Sequence, residues 1–320
     1  MNEATAVWPR RVVVGVDGRP AGMAALTWAA AEAYARGMPL TVYHCWQPPP
    51  RTPTARLIPP LATSESEVSS AARIVLDDAF EHVGSVVPRL TVQGELLQGR
   101  AGPVLADNVD RADLLVIGRH STHRLAARLL ASTTSHLLAH TQCAVIVVPT
   151  SAPVSHGPFG GHVVVGVDNS PPSEEALRMG FAESAAHGWP LAAVHVANAS
   201  ATNSAIDETT LEVTLIPFPS QYRLLQAAIE PWRHRYPDVA VRRACFTGSV
   251  AHALLRATSG ARLLVIGRHE RRSLERRRSR LVGVLLARTS SPVALTAPVH
   301  AASPGTAPWP ADDHEPSSVR

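Results

Sequence analysis

The sequence predicts an α/β protein made of two tandem copies of one domain. Each copy is a five-stranded parallel, doubly wound (Rossmann-like) sheet, and the copies pack as a pseudo-dimer. Three observations lead there. The chain has 320 residues, the size of about two domains. Val12-Val13-Val14-Gly15-Val16-Asp17 recurs as Val163-Val164-Val165-Gly166-Val167-Asp168, 151 positions later. Leu114-Leu115-Val116-Ile117-Gly118-Arg119-His120 recurs as Leu263-Leu264-Val265-Ile266-Gly267-Arg268-His269, 149 positions later. Between these anchors Leu40 to His44 matches Leu191 to His195, and Gly99 matches Gly248. The near-equal shifts fit one short indel between two copies, and the period is far too long for a solenoid.

Each copy alternates short apolar runs with helical patterns, as βαβ units do. In the first copy 11–17 is a continuous Val run, the mark of a strand buried on both faces. The Ala-rich 21–36 is a helix stopped by Gly37 and Pro39. Strand 40–45, helix 66–85, strand 90–97, helix 101–110, strand 113–118, helix 123–140 and strand 144–148 follow. The second copy repeats the series at 162–168, 173–187, 191–197, 218–235, 239–246, 249–259, 262–267, 274–288 and 292–296. Ser170 before Pro171 reads as an N-cap with Pro in the first helical position. The expected domains are 1–149 and 162–298, with a linker over 150–161 and a Pro-rich disordered tail over 299–320. The last strands, 144–148 and 292–296, are the expected meeting place of the copies. The long connections 47–64 and 197–217 are expected to form a lid or a partner surface.

Composition excludes several functions. Every one of the 30 basic residues is Arg. Without Lys there is no Walker A loop and no catalytic Lys. A net charge of +4 does not by itself indicate nucleic acid. Three cysteines without a C-x-x-C pair give neither a disulfide framework nor a zinc ribbon. No apolar run reaches membrane-span length and Met1 to Arg10 lacks a signal-type apolar core, so the cytoplasm is expected.

In an open α/β sheet, ligands sit beyond the carboxyl ends of the strands where strand order reverses. Asp17 and Asp168, Cys45 and Val196, and Gly118 and Gly267 fall there. No G-x-G-x-x-G follows strand one, which disfavours dinucleotide binding. After strand four, Gly118-Arg119-His120-Ser121 runs toward a helix carrying Ala131-Ser132-Thr133-Thr134-Ser135. Such a turn offers backbone N–H groups to phosphate, with hydroxyls and Arg119 in support. Equally, it reads as a plain strand–helix turn with a solvated Arg.

The V-V-V-G-V-D start, the strand-two L-x-x-x-H, the Gly before helix three and L-V-I-G-R-H before a Ser/Thr-rich helix together resemble the universal stress protein family in its tandem actinobacterial form. The resemblance spans about 11–149 and 162–298. It implies a cytoplasmic stress-response protein, many of whose relatives bind ATP. Adenine would lie near the end of strand two (Cys45, Val196), ribose near Asp17 or Asp168, and phosphates on G-x2-G-x9-G-[S/T]. In the first copy Gly118 matches, Ser121 and Ala131 replace the second and third Gly, and Ser132 keeps the hydroxyl, followed by Thr133. If the lost glycines needed positive φ, each replacement costs about 1–2 kcal/mol; if they gave only close approach, Ser and Ala are mild. In the second copy Asp168 and Gly267 match, with Arg268 next to it, but Glu270 and Arg280 replace the second and third Gly and Leu281 the hydroxyl. A carboxylate beside a phosphate costs about 3 kcal/mol at an effective dielectric of 20.

The expected function is therefore regulation through occupancy by ATP or another adenine nucleotide, with Mg²⁺, mainly in the first copy. No nucleophile–base–orienter set is visible, so no catalytic residue and no enzymatic activity are expected. The alternative is a nucleotide-free interaction module using the Pro-rich loop and the cluster of seven Arg in Arg268–Arg280. That cluster is either a solvated helix face or a site for an acidic protein partner; without an aromatic platform it disfavours nucleic acid. His120 with His123 and His136 with His140 lack a third ligand, so no metal is expected. His44 and His195 are expected buried and hydrogen-bonded, and Cys45 a small packed residue. Association into a homodimer is left open.

Overall fold

The computed structural model describes residues 10–48, 64–111, 113–119, 133–150, 157–197, 219–268 and 275–298. The expected tail, half of the linker, most of both long connections and residues 120–132 lie outside the described residues.

The first repeat runs β1 (Arg11–Val16), α1 (Pro20–Arg36), β2 (Leu40–Trp46), α2 (Glu65–Val86), β3 (Val92–Gln98), α3 (Ala101–Asp107), β4 (Asp113–Arg119), α4 (Thr133–His140) and β5 (Ala144–Pro149). The second runs β6 (Val163–Gly166), α5 (Pro171–His187), β7 (Leu191–Ala197), α6 (Pro219–Arg235), β8 (Val241–Thr247), α7 (Val250–Ala257), β9 (Leu263–Ile266), α8 (Glu275–Arg288) and β10 (Val293–Leu295). The strands form one ten-stranded sheet in the order β3-β2-β1-β4-β5-β10-β9-β6-β7-β8. Every pairing is parallel except β5 with β10, which is antiparallel, with Val147 facing Val293, Ile146 facing Ala294 and Val145 facing Leu295. The repeats thus meet at their last strands, as expected.

Local chemistry sets the element ends. The αL residues Gly37 (φ 62°) and Gly188 (φ 65°) stop the equivalent helices α1 and α5. A capping box starts α2: Ser64 Oγ accepts from Glu67 N–H at 3.1 Å, and Glu67 Oε2 accepts from Ser64 N–H at 2.6 Å. Ser170 occupies the N-cap of α5 with Pro171 after it, but its side chain makes no cap hydrogen bond; the hydroxyl donates to Asp168 Oδ1 instead. The charge-assisted bond to a carboxylate two residues away sets the side-chain orientation instead of a cap bond accepted from a helix N–H.

The Val runs are wholly buried, as strands covered on both faces must be: Val12, Val13 and Val14, and Val163, Val164 and Val165, all have 0% exposure. One core layer joins β1, α1 and α2 to β6, α5 and α6; the other joins α3 and α4 to α7 and α8. Both layers run through the two repeats without a break. The sequence period therefore ends in one shared core.

At the end of β4, a Cβ on Gly118 would stand 2.1 Å from Ala21 O and 2.3 Å from its carbonyl carbon. In the second repeat a Cβ on Gly267 would stand 2.2 Å from Pro172 O. Strand four approaches the first turn of the helix after strand one too closely for any side chain, and here Gly provides space, not dihedral freedom. Gly118→Ala and Gly267→Ala are each expected to lower unfolding free energy by about 1–3 kcal/mol, because backbone must move. Gly84→Ala, in α2 with nothing within 4 Å of the new Cβ, should raise it by about 0.5–1 kcal/mol. Urea denaturation of the three variants checks both signs.

Candidate functional site

Strand order reverses between β1 and β4, and again between β6 and β9, so each repeat has a crevice at the carboxyl ends of its central strands. The chain leaves β1 through Asp17, which is exposed, and Gly18 at φ 72°; the equivalent pair is Asp168, also exposed, and Asn169 at φ 58°. The turn requires a left-handed residue, which Gly supplies freely and Asn tolerates best among the others. Asp17 Oδ1 accepts from Arg19 N–H at 3.1 Å, and Asp168 Oδ1 accepts from Ser170 N–H at 3.1 Å. The repeats then differ: the hydroxyl of Ser170 is also on Asp168, and Arg19 has no such group to place on Asp17.

The end of strand two forms the next wall. His44 Nδ1–H donates to Val16 O at 2.9 Å, and His195 Nδ1–H donates to Val167 O at 2.8 Å. A carbonyl only accepts, so each ring carries its proton on Nδ1. Both imidazoles are hydrogen-bonded as expected, though half-buried. They tie strand two to the last peptide before the crevice Asp. Cys45 and Val196 follow, both half-buried. Desolvation pushes the Cys45 thiol up to about 11, so it is a packed, protonated residue and not a nucleophile.

Ser121, Ala131 and Ser132 lie outside the described residues, as do Glu270 and the histidines His120 and His123. Thr133, the first residue of α4, is exposed. Gly118 and Gly267 sit against the first turns of α1 and α5 as described above.

Arg119 and Arg268, grouped on sequence with the phosphate ligands, place their guanidinium groups elsewhere. Arg119 Nη1 donates to Ala287 O at 2.8 Å and Nη2 to Thr289 O at 2.7 Å, at the carboxyl end of α8 in the other repeat. Arg268 reciprocates at the carboxyl end of α4: Nη2 donates to Thr141 O at 2.9 Å and Cys143 O at 2.8 Å, and Nη1 to Thr141 Oγ1 at 3.2 Å. A cation at a helix carboxyl end meets the negative pole and the unsatisfied carbonyls there. Burial pulls Arg268 down to about 10, still charged at neutral pH, and lowers Arg119 for the same reason. With 9% exposure Arg268 also drops out of the surface cluster, whose described surface member Arg280 is exposed.

Sequence reasoning missed a second constellation, on the opposite core layer. Glu32 and Arg36 of α1 meet Glu183 and His187 of α5, and all four are largely buried. The signal was available: the two i,i+4 pairs are 151 positions apart on helices otherwise rich in Ala. His136 and His140 stack at 4.0 Å, with His140 Nδ1–H bonded to His136 O.

The universal stress protein family model matches residues 9–149 and again 161–301. The universal stress protein Rv2623 of Mycobacterium tuberculosis is 31% identical over 263 residues, covering 80% of this chain and 85% of that protein. Rv2005c, from the same organism, is 31% identical over 289 residues, covering 88% and 92%. Among solved structures, a universal stress protein from Archaeoglobus fulgidus superposes with a TM-score of 0.66 at 14% identity, covering 91% of this chain and 97% of that one. A protein from Pseudomonas aeruginosa described as functionally unknown superposes with a TM-score of 0.52 at 13% identity, covering 91% and 93%. No helix among the described residues is long and apolar enough to cross a membrane.

Arg268→Ala is expected to cost about 2–4 kcal/mol of stability, since it leaves buried carbonyls without donors. Arg119→Ala, whose acceptors are nearer solvent, should cost about 1–2 kcal/mol; chemical denaturation measures both. Alkylation of Cys45 in the folded protein at pH 8 should run roughly 100-fold slower than in urea, because its thiolate fraction is so much smaller. Mass spectrometry of the labelled peptide gives that ratio.

Proposed function

The chain belongs to the universal stress protein family, and on that premise we propose that it is a cytoplasmic stress-response regulator that binds ATP or a related adenine nucleotide, with Mg²⁺, mainly in its first repeat. The observation that carries the preference is the difference between the crevice aspartates. In the family pattern this carboxylate faces the ribose. Asp168 Oδ1 takes both the N–H and the hydroxyl of its own Ser170, whereas Asp17 Oδ1 takes the N–H of Arg19, a residue with no hydroxyl at that position. A ribose hydroxyl therefore competes with the Ser170 hydroxyl in the second repeat and with no equivalent hydroxyl in the first. The Glu270 carboxylate in the second phosphate loop acts in the same direction, opposed in part by the Arg residues beside it, Arg280 included.

The nucleotide would lie with adenine beside the backbone at Cys45, ribose on Asp17, and phosphates on the segment from Gly118 to Thr133. Backbone N–H groups and the hydroxyls of Ser121, Ser132 and Thr133 would hold the phosphates, and the Arg119 guanidinium would not. Arg119 instead links that segment to the other repeat, because it caps α8 from the residue next to Gly118. Signalling by occupancy follows: a ligand held on the segment after Gly118 bears on Arg119, the residue on which the carboxyl end of α8 depends. Turnover is no part of this reading, since binding and release suffice for a switch.

Calorimetric titration of the nucleotide-stripped protein with ATP and Mg²⁺ tests the proposal. One site per chain is expected. Asp17→Ala should weaken it about 10- to 100-fold, the worth of hydrogen bonds to a charged group, and Asp168→Ala should leave it unchanged. Arg119→Ala should change affinity less than threefold. Two sites per chain would overturn the preference for the first repeat. No heat at concentrations able to detect roughly 100 µM binding would favour the nucleotide-free interaction module.

A further inference from the structure

We propose that Glu32, Glu183 and His187 form a binding site for a divalent transition metal of the zinc class, on the pseudo-twofold axis between the repeats. Nothing in the nucleotide reading requires it, and it lies on the other side of the sheet from the Arg119 and Arg268 caps.

Helices α1 and α5 bring equivalent positions face to face. Arg36 pairs with Oε1 of both carboxylates: Nε with Glu32, and Nη2 with Glu183 at 2.6 Å. His187 Nε2 stands on the other side, 2.7 Å from Glu32 Oε2 and 4.0 Å from Glu183 Oε2. The guanidinium thus serves one oxygen of each carboxylate, and the second oxygen of each is turned to the imidazole. One ligand atom from each of Glu32, Glu183 and His187 fits within a span of 4.8 Å. Around a tetrahedral zinc with bonds near 2.0–2.1 Å such atoms stand about 3.3 Å apart, so closing on an ion takes only small side-chain movements.

Two further observations point to a ligand there. Glu183 has 0% exposure; Arg36 pairs with its Oε1, while its Oε2, 4.0 Å from His187 Nε2, accepts no hydrogen bond, an expensive state for a buried carboxyl oxygen. Pseudo-symmetry also places an Arg at 187, opposite Arg36, where two cations would balance two carboxylates. The chain has His instead, which exchanges a fixed charge for a nitrogen lone pair. Two carboxyl groups share a single guanidinium, so a divalent ion would stand where a symmetric seam would place its second cation. The nitrogen donor selects zinc-like ions over Mg²⁺ and Ca²⁺, which favour all-oxygen shells. Arg36 would orient both carboxylates from behind, as outer partners of metal ligands do.

The site is reachable. A cavity of about 400 Å³, lined among others by Trp28, Glu32, His187, Trp189 and Arg262, opens onto it and has room for water as a fourth ligand. The His187 ring stacks on Trp189 with centroids 4.0 Å apart and planes 9° apart, which fixes the imidazole and supplies a fluorescent reporter.

The test is titration of the chelator-treated full-length protein with Co²⁺, read by visible d–d absorption and by quenching of tryptophan fluorescence, with Zn²⁺ as competitor. One Co²⁺ per chain, displaced by Zn²⁺, is expected. Glu183→Gln keeps shape and volume and should weaken binding at least tenfold, as should His187→Ala; His136→Ala/His140→Ala should not. Circular dichroism confirms folding of each variant, and if His187→Ala does not fold, Glu183→Gln decides. Unchanged affinity in Glu183→Gln, loss of the signal in the His136/His140 variant, or no saturable binding by the wild type would each overturn the proposal and leave the quartet a buried ion-pair network.

Discussion

A parallel sheet with order 3-2-1-4-5 ends on a strand whose outer edge is unpaired. In the first repeat that strand is Ala-Val-Ile-Val-Val-Pro, with every residue from Val145 to Pro149 buried. A strand this apolar cannot be left as an open edge without inviting other chains to pair with it. The antiparallel pairing of β5 with β10 resolves this, and everything at the seam follows from it. It joins ten strands into one sheet, makes both core layers continuous, and brings α1 against α5 on one side and the crossed arginines together on the other.

The crossed arginines give the seam a link to the crevices. Arg119 and Arg268 each lie one residue past the Gly where strand four meets the crevice, and each ends on the carboxyl end of the other repeat's last helix. A position that looks like a phosphate ligand in sequence is thus an interdomain cap in space. The cap is built next to the Gly that lines the crevice. Under the proposed nucleotide reading, a ligand in one crevice would act on a residue whose far end holds the neighbouring repeat.

The internal repeat also works as a built-in comparison, since equivalent positions share a backbone frame and differ in chemistry. Gly18 and Asn169 both take positive φ, so the turn is kept while the residue changes. Asp17 and Asp168 keep the carboxylate, but Ser170 changes what it can accept. Arg36 and His187 keep the seam packed while changing its charge and donor set. In each case the fold constrains the backbone and leaves the side chain free to diverge. The asymmetries are therefore the places where the two copies differ in chemistry while sharing a backbone.

The sequence by itself determined the element order, the tandem architecture and the family, because these rest on local periodicity and on a repeat visible in one dimension. The buried Val runs, Gly37 as a helix stop and the Asp after strand one all carry their meaning within a few residues. It could not determine where long side chains end. Arg119 reaches atoms 170 residues away, and the Glu32–Glu183 and Arg36–His187 relations join helices in different repeats. Only the tertiary structure decided that Gly118 is required by the backbone of Ala21, that Ser170 turns to Asp168 rather than to its helix, and that Arg268 leaves the surface cluster. Propensity and spacing act along the chain, whereas charge pairing and close approach act through space, and the strand pairing at the seam sets which distant residues meet.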